Sequence, residues 1–410
     1  MKVAVLVDLL RSAEAGGHVK GWERLAAVAA RLDLPLQLTV YFSGERKIEI
    51  LSPKVRIKQL PQVFSTAKLK FLPYLPDHTD LAPWHPALAF DLPQYDAVHT
   101  TDAYFAFTRT AERMKRTGFA MTHSFHTDQP SYARIFTAKA IRDIFGKGAI
   151  ARLLIDKWKL PERKAAQMER QRDRHLGQCE IALATRPLDR AVAERAIGPQ
   201  RVRHLRLGAD KAVFNPGRGD RAKIMARYQI PEGRIIIVFV GRMDEGKNIY
   251  TLIAALEELI AAGLPLHLVT AGIGPAEKDV RERLSGHATV PGFIKPDELA
   301  ELYASADVMA LASEVEIRSM AMVESLASGL PVLVAAKSGL DKLFAPTQAI
   351  RTVTGGADAW AAALREFATT GLREIMQAAA RDYGAAHIAS WEQVLAEDLF
   401  PAWRDAARRR

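Results

Sequence analysis

The sequence predicts an α/β protein made of two doubly wound domains. Three observations carry that expectation. Short apolar runs alternate with helical patterns through both halves of the chain, 410 residues exceed what one core comfortably fills, and Gly208, Pro216, Gly217 and Gly219 break the alternation near its middle. Alternation of this kind lays a parallel sheet between two layers of helices, and two such domains are expected to face one another across a cleft.

In the first half the apolar runs Val3 to Leu9, Leu36 to Phe42, Val55 to Leu60, Ala97 to Thr100, Phe119 to His123, Ile181 to Ala184 and Val202 to Leu205 read as strands. Helical periodicity falls near Val19 to Arg31, Ala103 to Arg116 and Leu188 to Ala196. After the boundary at Leu207 to Gly219, strands are expected at Ile235 to Val240, Leu266 to Ala271, Thr289 to Val290, Asp307 to Leu311 and Val332 to Ala335. The helices between them are Asn248 to Ala262, Ala276 to Leu284, Pro296 to Ala304 and Ser319 to Ser328, the last closed by Gly329 and Pro331.

Composition narrows the class. A 49% hydrophobic and 25% charged chain is that of an ordinary globular protein, and no apolar stretch approaches the ~18 residues that span a bilayer. The single Cys179 permits no internal disulfide, and the start Met1-Lys2-Val3-Ala4 has no basic-then-apolar leader, so a cytoplasmic location is expected. The net charge of +10 asks for an anionic partner. Much of it lies in residues 139–174, where eleven Lys and Arg meet five Asp and Glu, interleaved with Ile141, Ile144, Phe145, Ile150, Leu153, Leu154, Ile155 and Trp158. Such a basic amphipathic region suits the anionic surface of a membrane, the plain alternative being a solvated face packed on its own domain. Neither zinc-ligand spacing nor a nucleic-acid recognition motif is present, so no nucleic-acid partner and no metal site are expected.

Chemistry-bearing residues gather where strands give way to helices. Glu316 and Glu324 flank the start of the helix after Asp307 to Leu311, Glu324 being expected about two turns in and the pair about 10 Å apart along the axis. That is the span between a ribose and a hexose joined through a diphosphate, with helix-end amides between for the phosphates; two solvated helix acids are the plainer alternative. Arg242 and Lys247 follow the strand Ile235 to Val240 and would set two cations beside a helix start. Gly272 and Gly274 form a tight turn that leaves room for a flat ligand, and Gly16 and Gly17 would let backbone approach a phosphate. The run Thr122 to Tyr132 leaves an apolar strand and is expected to expose His123 and His126, then Asp128 and Tyr132.

Together these motifs resemble the retaining family-4 glycosyltransferases of GT-B fold. Gly241-Arg242 with Lys247 is similar to that family's phosphate motif, Gly272-Ile273-Gly274-Pro275 to its G-x-G-P turn, and Val290-Pro291-Gly292-Phe293-Ile294 to its V-x-F-x-G-x-V segment. Leu302-Tyr303-Ala304 with Ala306-Asp307-Val308 resembles its LY-x-x-ADV run. Glu316 and Glu324 with Ala327-Ser328-Gly329-Leu330-Pro331-Val332 resemble its paired-glutamate signature. Gly208-Ala209-Asp210 with Phe214 and Pro216 is similar to the family's interdomain stretch, and Ser390-Trp391 to the start of its last helix.

The resemblance implies an N-terminal acceptor domain over residues 1–206, a C-terminal nucleotide-sugar domain over 207–385 and a helix over 386–410 that crosses back. It implies a metal-independent transferase that needs no cofactor, its nucleotide-sugar donor being the substrate. Arg242 and Lys247 would neutralise the donor diphosphate, Glu324 would hold the ribose, Glu316 and His126 would touch the donor sugar, and amides at Ser319 and Met320 would add to the phosphate grip. Gly16, Gly17, Gly272, Gly274 and Phe293 would line the donor site. His126-Thr127-Asp128-Gln129-Pro130-Ser131-Tyr132 resembles family members that glycosylate lipids, which with the basic region implies a lipid or lipid-linked acceptor, a saccharide acceptor being the alternative. The chain departs from the family at Ile317-Arg318-Ser319, at Gly246 and at Asn248; Arg318 would add a phosphate contact or reject a usual donor. An epimerase of the same fold and a non-catalytic nucleotide-sugar-binding protein stay open as further alternatives.

Overall fold

The structure is a computed structural model and describes every residue except 13, 14, 66–79, 147, 315, 317 and 318. The chain forms two compact units, Met1–Arg206 with Trp391–Arg410, and Leu207–Ser390.

In the first unit the elements run β1 (Lys2–Leu10), α1 (Gly17–Arg31), β2 (Gln37–Ser43), β3 (Lys47–Ser52), β4 (Val55–Leu60), α2 (Pro86–Asp91), β5 (Ala97–Thr100), α3 (Ala106–Met114) and β6 (Ala120–Ser124). Then come α4 (Gln129–Phe145), α5 (Ala149–Arg152), α6 (Leu160–Gly177), β7 (Ile181–Ala184), α7 (Pro187–Ile197) and β8 (Val202–His204). Among the described residues the sheet order is β3-β4-β2-β1-β5-β6-β7-β8, with only the β3–β4 pair antiparallel. Val3 to Val7 of β1 are wholly buried, as a strand covered on both faces must be.

The second unit begins with β9 (Gly208–Ala209), α8 (Arg221–Tyr228), β10 (Ile235–Val240), α9 (Ile249–Ala261), β11 (Leu266–Ala271), α10 (Glu277–Arg283) and β12 (Ala288–Thr289). It continues with α11 (Pro296–Ser305), β13 (Val308–Leu311), α12 (Met320–Ala327), β14 (Val332–Ala335), β15 (Ile350–Val353), α13 (Ala357–Thr369), α14 (Leu372–His387) and β16 (Ala389–Ser390). Its described sheet is parallel throughout, in the order β12-β11-β10-β13-β14-β15. One apolar cluster on each face of that sheet, around Ile236, Val238 and Met309 and around Ile237, Phe239 and Val308, follows the strand's period of two. After β16 the chain returns to the first unit as α15 (Trp391–Gln393), a π-helical stretch at Val394–Leu399 and α16 (Phe400–Arg409). Arg206 holds this segment by charged hydrogen bonds to Asp398 at 2.7 Å and Glu397 at 2.8 Å.

Each sheet has one strand from which the connections diverge: β1 lies between β2 and β5, and β10 between β11 and β13. Loops leaving the carboxyl ends of such neighbouring strands part company and leave a crevice, the usual seat of ligands in doubly wound sheets. The fold is GT-B, with two Rossmann-like units.

Candidate functional site

At the divergence point of the second sheet, the loop after β10 is shaped by its own residues. Asp244 caps the turn Glu245–Lys247 by accepting from the Lys247 amide at 3.0 Å, and its other carboxylate oxygen lies 3.0 Å from Arg242 Nη2. Asn248 then takes a left-handed conformation at φ 55°, which asparagine tolerates far better than most side chains. This accounts for one departure from the resembled family, which usually carries glycine there: asparagine and glycine both meet the backbone requirement at that position. The Asn248 amide donates to the Ala312 carbonyl at 3.1 Å and accepts from Thr251 Oγ1 at 2.7 Å.

A second tie, from Ser313 Oγ to the Gly246 carbonyl at 3.3 Å, joins the same two loops. Between them Lys247 Nζ and the Glu316 carboxylate form an ion pair. The structure thus brings together two of the predicted site residues, across the gap between β10 and β13. Arg242 stands apart, its side chain 76% exposed and leaning on Asp244.

Ser319 is buried and caps α12, its hydroxyl accepting from the Met322 amide at 3.3 Å. Met320 is the first helical residue, so Glu324 lies little more than one turn in, not the expected two. The helix starts within one residue of the expected Ser319, and four residues from Met320 to Glu324 make little more than one turn. Glu324, in the second turn of α12, is only 6% exposed. Arg318, with Val315 and Ile317, lies outside the described residues.

Gly272 and Gly274 have a different cause from the one expected. A Cβ on Gly272 would stand 2.0 Å from the Gly241 carbonyl oxygen, and one on Gly274 would stand 2.4 Å from that of Met243. The glycines are there because two loop backbones cross in contact, joined by Met243 N donating to Ile273 O at 3.1 Å and Ala276 N to Met243 O at 3.0 Å. Beyond that crossing Phe293 presents a side chain 70% exposed, an aromatic face open to a planar ring.

In the first unit Gly16 is the N-cap of α1 and Gly17 its first residue; both are exposed, and a Cβ on Gly16 would meet nothing within 4 Å. His126 is half-buried after β6, its Nε2 2.7 Å from Ser124 Oγ and its ring stacked on His18 at 4.1 Å. Behind Ser124, His99 lies 2.8 Å from that hydroxyl and 2.8 Å from Thr122 Oγ1. His123 corrects the expectation of two exposed histidines. It is buried within β6, with Nδ1 3.0 Å from Thr100 Oγ1, because neighbouring strand positions point to opposite faces of a covered sheet. Asp128 caps α4 by accepting from the Ser131 amide at 3.2 Å and lies 3.8 Å from Arg186; Tyr132 stacks on Phe136 at 6.0 Å. Asp244 and His18 were not among the residues expected to act here. The available signals were an aspartate before a turn and a histidine directly after the glycine pair.

The basic region is carried by α4, α5 and α6. Of the apolar residues expected there, Ile144, Phe145, Ile150, Leu153 and Trp158 are exposed among exposed Lys139, Arg142, Arg152, Lys157, Lys159, Arg163 and Lys164, whereas Ile141 is buried and Leu154 and Ile155 are half-buried; Ile135 and Phe136, earlier in α4, are exposed as well. Among the described residues no helix is long and apolar enough to cross a membrane, and no three His, Cys, Asp or Glu converge as a metal site would require.

Part of the chain is similar to known proteins. Residues 220–383, within the second unit, match the family described as glycosyl transferases group 1. The chain is 30% identical over 222 residues to a D-inositol 3-phosphate glycosyltransferase of Rhodococcus erythropolis, covering 51% of this chain and 49% of that one. It is 29% identical over 163 residues to the sulfoquinovosyl transferase SQD2 of Arabidopsis thaliana, covering 39% and 31%. The chain therefore spans about half the length of the first of these curated relatives and about a third of the second. In three dimensions it is similar to sucrose-phosphate synthase from Thermosynechococcus elongatus, with a TM-score of 0.72, 20% identity and all of both chains covered.

Proposed function

Residues 220–383 belong to the glycosyl transferases of group 1, and from that premise we propose that the whole chain is a retaining hexosyltransferase using a nucleoside-diphosphate sugar. The observation that carries the reading is the Lys247–Glu316 pair, set between the diverging loops of β10 and β13 beside the α12 N-terminus. A diphosphate meeting that site would take Lys247 as its counter-ion and the first amides of α12 as donors. Arg242 would swing from Asp244 to add a second cation, Glu324 would accept from the ribose hydroxyls, and Phe293 would offer its face to the base. The bond from the anomeric carbon to the diphosphate breaks, and the acceptor oxygen bonds to that carbon on the same face. The acceptor's proton passes to the departing phosphate. Catalysis is then stabilisation of the charge that gathers on the leaving group, by the α12 amides and by cations that exchange their carboxylate partners for the diphosphate. From the first unit, Gly16, Gly17 and His126 would contribute donor contacts, while Asp128 and Tyr132 would meet the acceptor.

The acceptor in this reading is a lipid or a lipid-linked saccharide at an anionic membrane surface. Support comes from the apolar side chains of α4 to α6 standing exposed among lysines and arginines, which couple insertion to attraction. A second reading, transfer to a soluble phosphorylated polyol, is favoured by relatives named for D-inositol 3-phosphate. Incubating the protein with UDP-, GDP- and ADP-hexoses and either anionic vesicles carrying lipid acceptors or inositol phosphates separates the two. Nucleoside diphosphate release only with vesicles, together with sedimentation that weakens as salt rises, supports the membrane reading. Release only with the soluble acceptor replaces it, and release with neither removes the transferase assignment.

A further inference from the structure

His126 belongs to a chain of side chains that runs inward through β6 and β5. Its Nε2 lies 2.7 Å from Ser124 Oγ, Ser124 Oγ lies 2.8 Å from His99 Nε2, and His99 Nδ1 lies 2.8 Å from Thr122 Oγ1. Strand register builds it: His99 of β5 is paired with Thr122 of β6, and Ser124, two residues on, shares the face of Thr122. The rings of Trp22, at 5.3 Å, and Trp403, at 5.8 Å, close around His99 and leave it no exposure.

A hydroxyl has a single proton, so a chain of this kind runs in one direction or the other. If His99 donated from Nδ1 to Thr122, the Thr122 proton would need an acceptor. Thr122 is fully buried, and among the described residues His99 is the only partner of its hydroxyl. Leaving that proton unsatisfied is the costlier arrangement. In the other direction every group is served: Thr122 donates to His99 Nδ1, His99 donates from Nε2 to Ser124, and Ser124 donates to His126 Nε2. Burial pushes the His99 imidazole down to about 3, so it stays neutral and can both accept and donate.

We propose that this chain fixes neutral His126 in the Nδ1–H tautomer, making it a hydrogen-bond donor to the transferring group rather than a proton acceptor. Ser124, His99 and Thr122 are then positioning residues, and the parallel stack with His18 at 4.1 Å holds the plane of the ring. The inference rests on the reading that His126 meets the sugar-phosphate donor, but the tautomer itself is a property of the chain alone.

Long-range ¹H–¹⁵N correlation on the full-length protein labelled in histidine, at pH 8, reads the tautomer without any substrate. The expected result is a protonated Nδ1 and a bare Nε2 at His126, with the reverse at His99. Ser124→Ala should return His126 toward the Nε2–H form that neutral histidine favours in water, and should lower kcat at least tenfold with little change in donor KM. Thr122→Val should leave His126 a mixture of tautomers. A bare Nδ1 at His126 in the wild-type protein overturns the proposal, as does a His126 tautomer unmoved by Ser124→Ala in a folded variant. The expected tautomers in a protein that turns over no nucleotide sugar would keep the chain of donors and remove the transferase reading instead.

Discussion

The ammonium of Lys247 is paired with the carboxylate of Glu316 across the gap between the loops that leave β10 and β13. In the proposed reaction the same ammonium must face a diphosphate, so donor binding exchanges one anionic partner for another. Glu316→Gln removes the competitor while keeping the shape. Because the pair is partly open to water, the effect is modest: nucleoside diphosphate should bind roughly fivefold tighter, ~1 kcal/mol, by titration calorimetry. Turnover should fall nonetheless if Glu316 also holds the donor sugar through its charge, as the resemblance implies. Weaker binding by Glu316→Gln would show that the carboxylate helps the diphosphate to bind instead of competing with it.

Lys247→Ala tests the other half of the pair. Loss of a charge aimed at the leaving group should cost on the order of 10²–10³ in kcat in a variant that still unfolds cooperatively, with a modest drop in melting temperature from the unpaired Glu316. Unchanged turnover would remove Lys247 from the site.

The crossing of two loop backbones at Gly272 is a stability determinant. Gly272 has φ 144°, and a Cβ there would overlap the Gly241 carbonyl oxygen at 2.0 Å. Gly272→Ala should lose about 3 kcal/mol by urea denaturation, combining backbone strain with overpacking against an atom that cannot move aside. Gly16→Ala meets open space and should lose well under 1 kcal/mol. Equal losses at the two positions would contradict the contact argument.

Much of the fold was legible because buried parallel strands are written as apolar runs: β1, β2, β5, β7, β10, β11, β13 and β14 all read that way. β3 and β15 were not: their side chains are mostly exposed or half-buried, so charged and polar residues break the apolar run. Helix α14 escaped because Ala379, Ala380, Ala385 and Ala386 blur its apolar stripe. In the site, Arg242, Lys247, Glu316 and Glu324 stood out as charged residues after apolar strands. What stitches them was hidden. Asn248 reaches a backbone carbonyl at Ala312 and Gly272 clears one at Gly241, and carbonyls have no letter in a sequence.

Asn248 separates backbone need from side-chain need. At φ 55° alanine is strained, and it also forfeits the bonds to Ala312 and Thr251, so Asn248→Ala should lose about 2 kcal/mol in urea denaturation. Asn248→Gly keeps the conformation and loses only the bonds, for about 1 kcal/mol. A glycine variant as unstable as the alanine one would mean that the hydrogen bonds alone matter.

Stability of the first unit should depend on pH through His175. This imidazole has no exposure and lies between Thr100 Oγ1, 2.8 Å from Nε2, and Glu112, 2.8 Å from Nδ1. Burial opposes its charge, but Cys179 and Glu112 outweigh burial and raise it from 6.5 to about 10. Cys179 Sγ lies 3.8 Å from Nε2 on one side, and the Glu112 carboxylate supplies the counter-charge on the other. The folded state therefore holds a proton that the unfolded chain releases above pH 6.5. The resulting stabilisation is full below pH 6.5 and is lost as pH rises through about 10. Glu112→Gln removes the counter-charge and should lose roughly 3 kcal/mol at pH 6, the cost of breaking a buried ion pair. The difference from the wild-type protein should shrink steadily toward pH 10, where the wild type has lost the same contribution. Urea denaturation of both proteins at pH 6, 8 and 10 measures this, and a difference that stays constant with pH would show that His175 is neutral in the folded state.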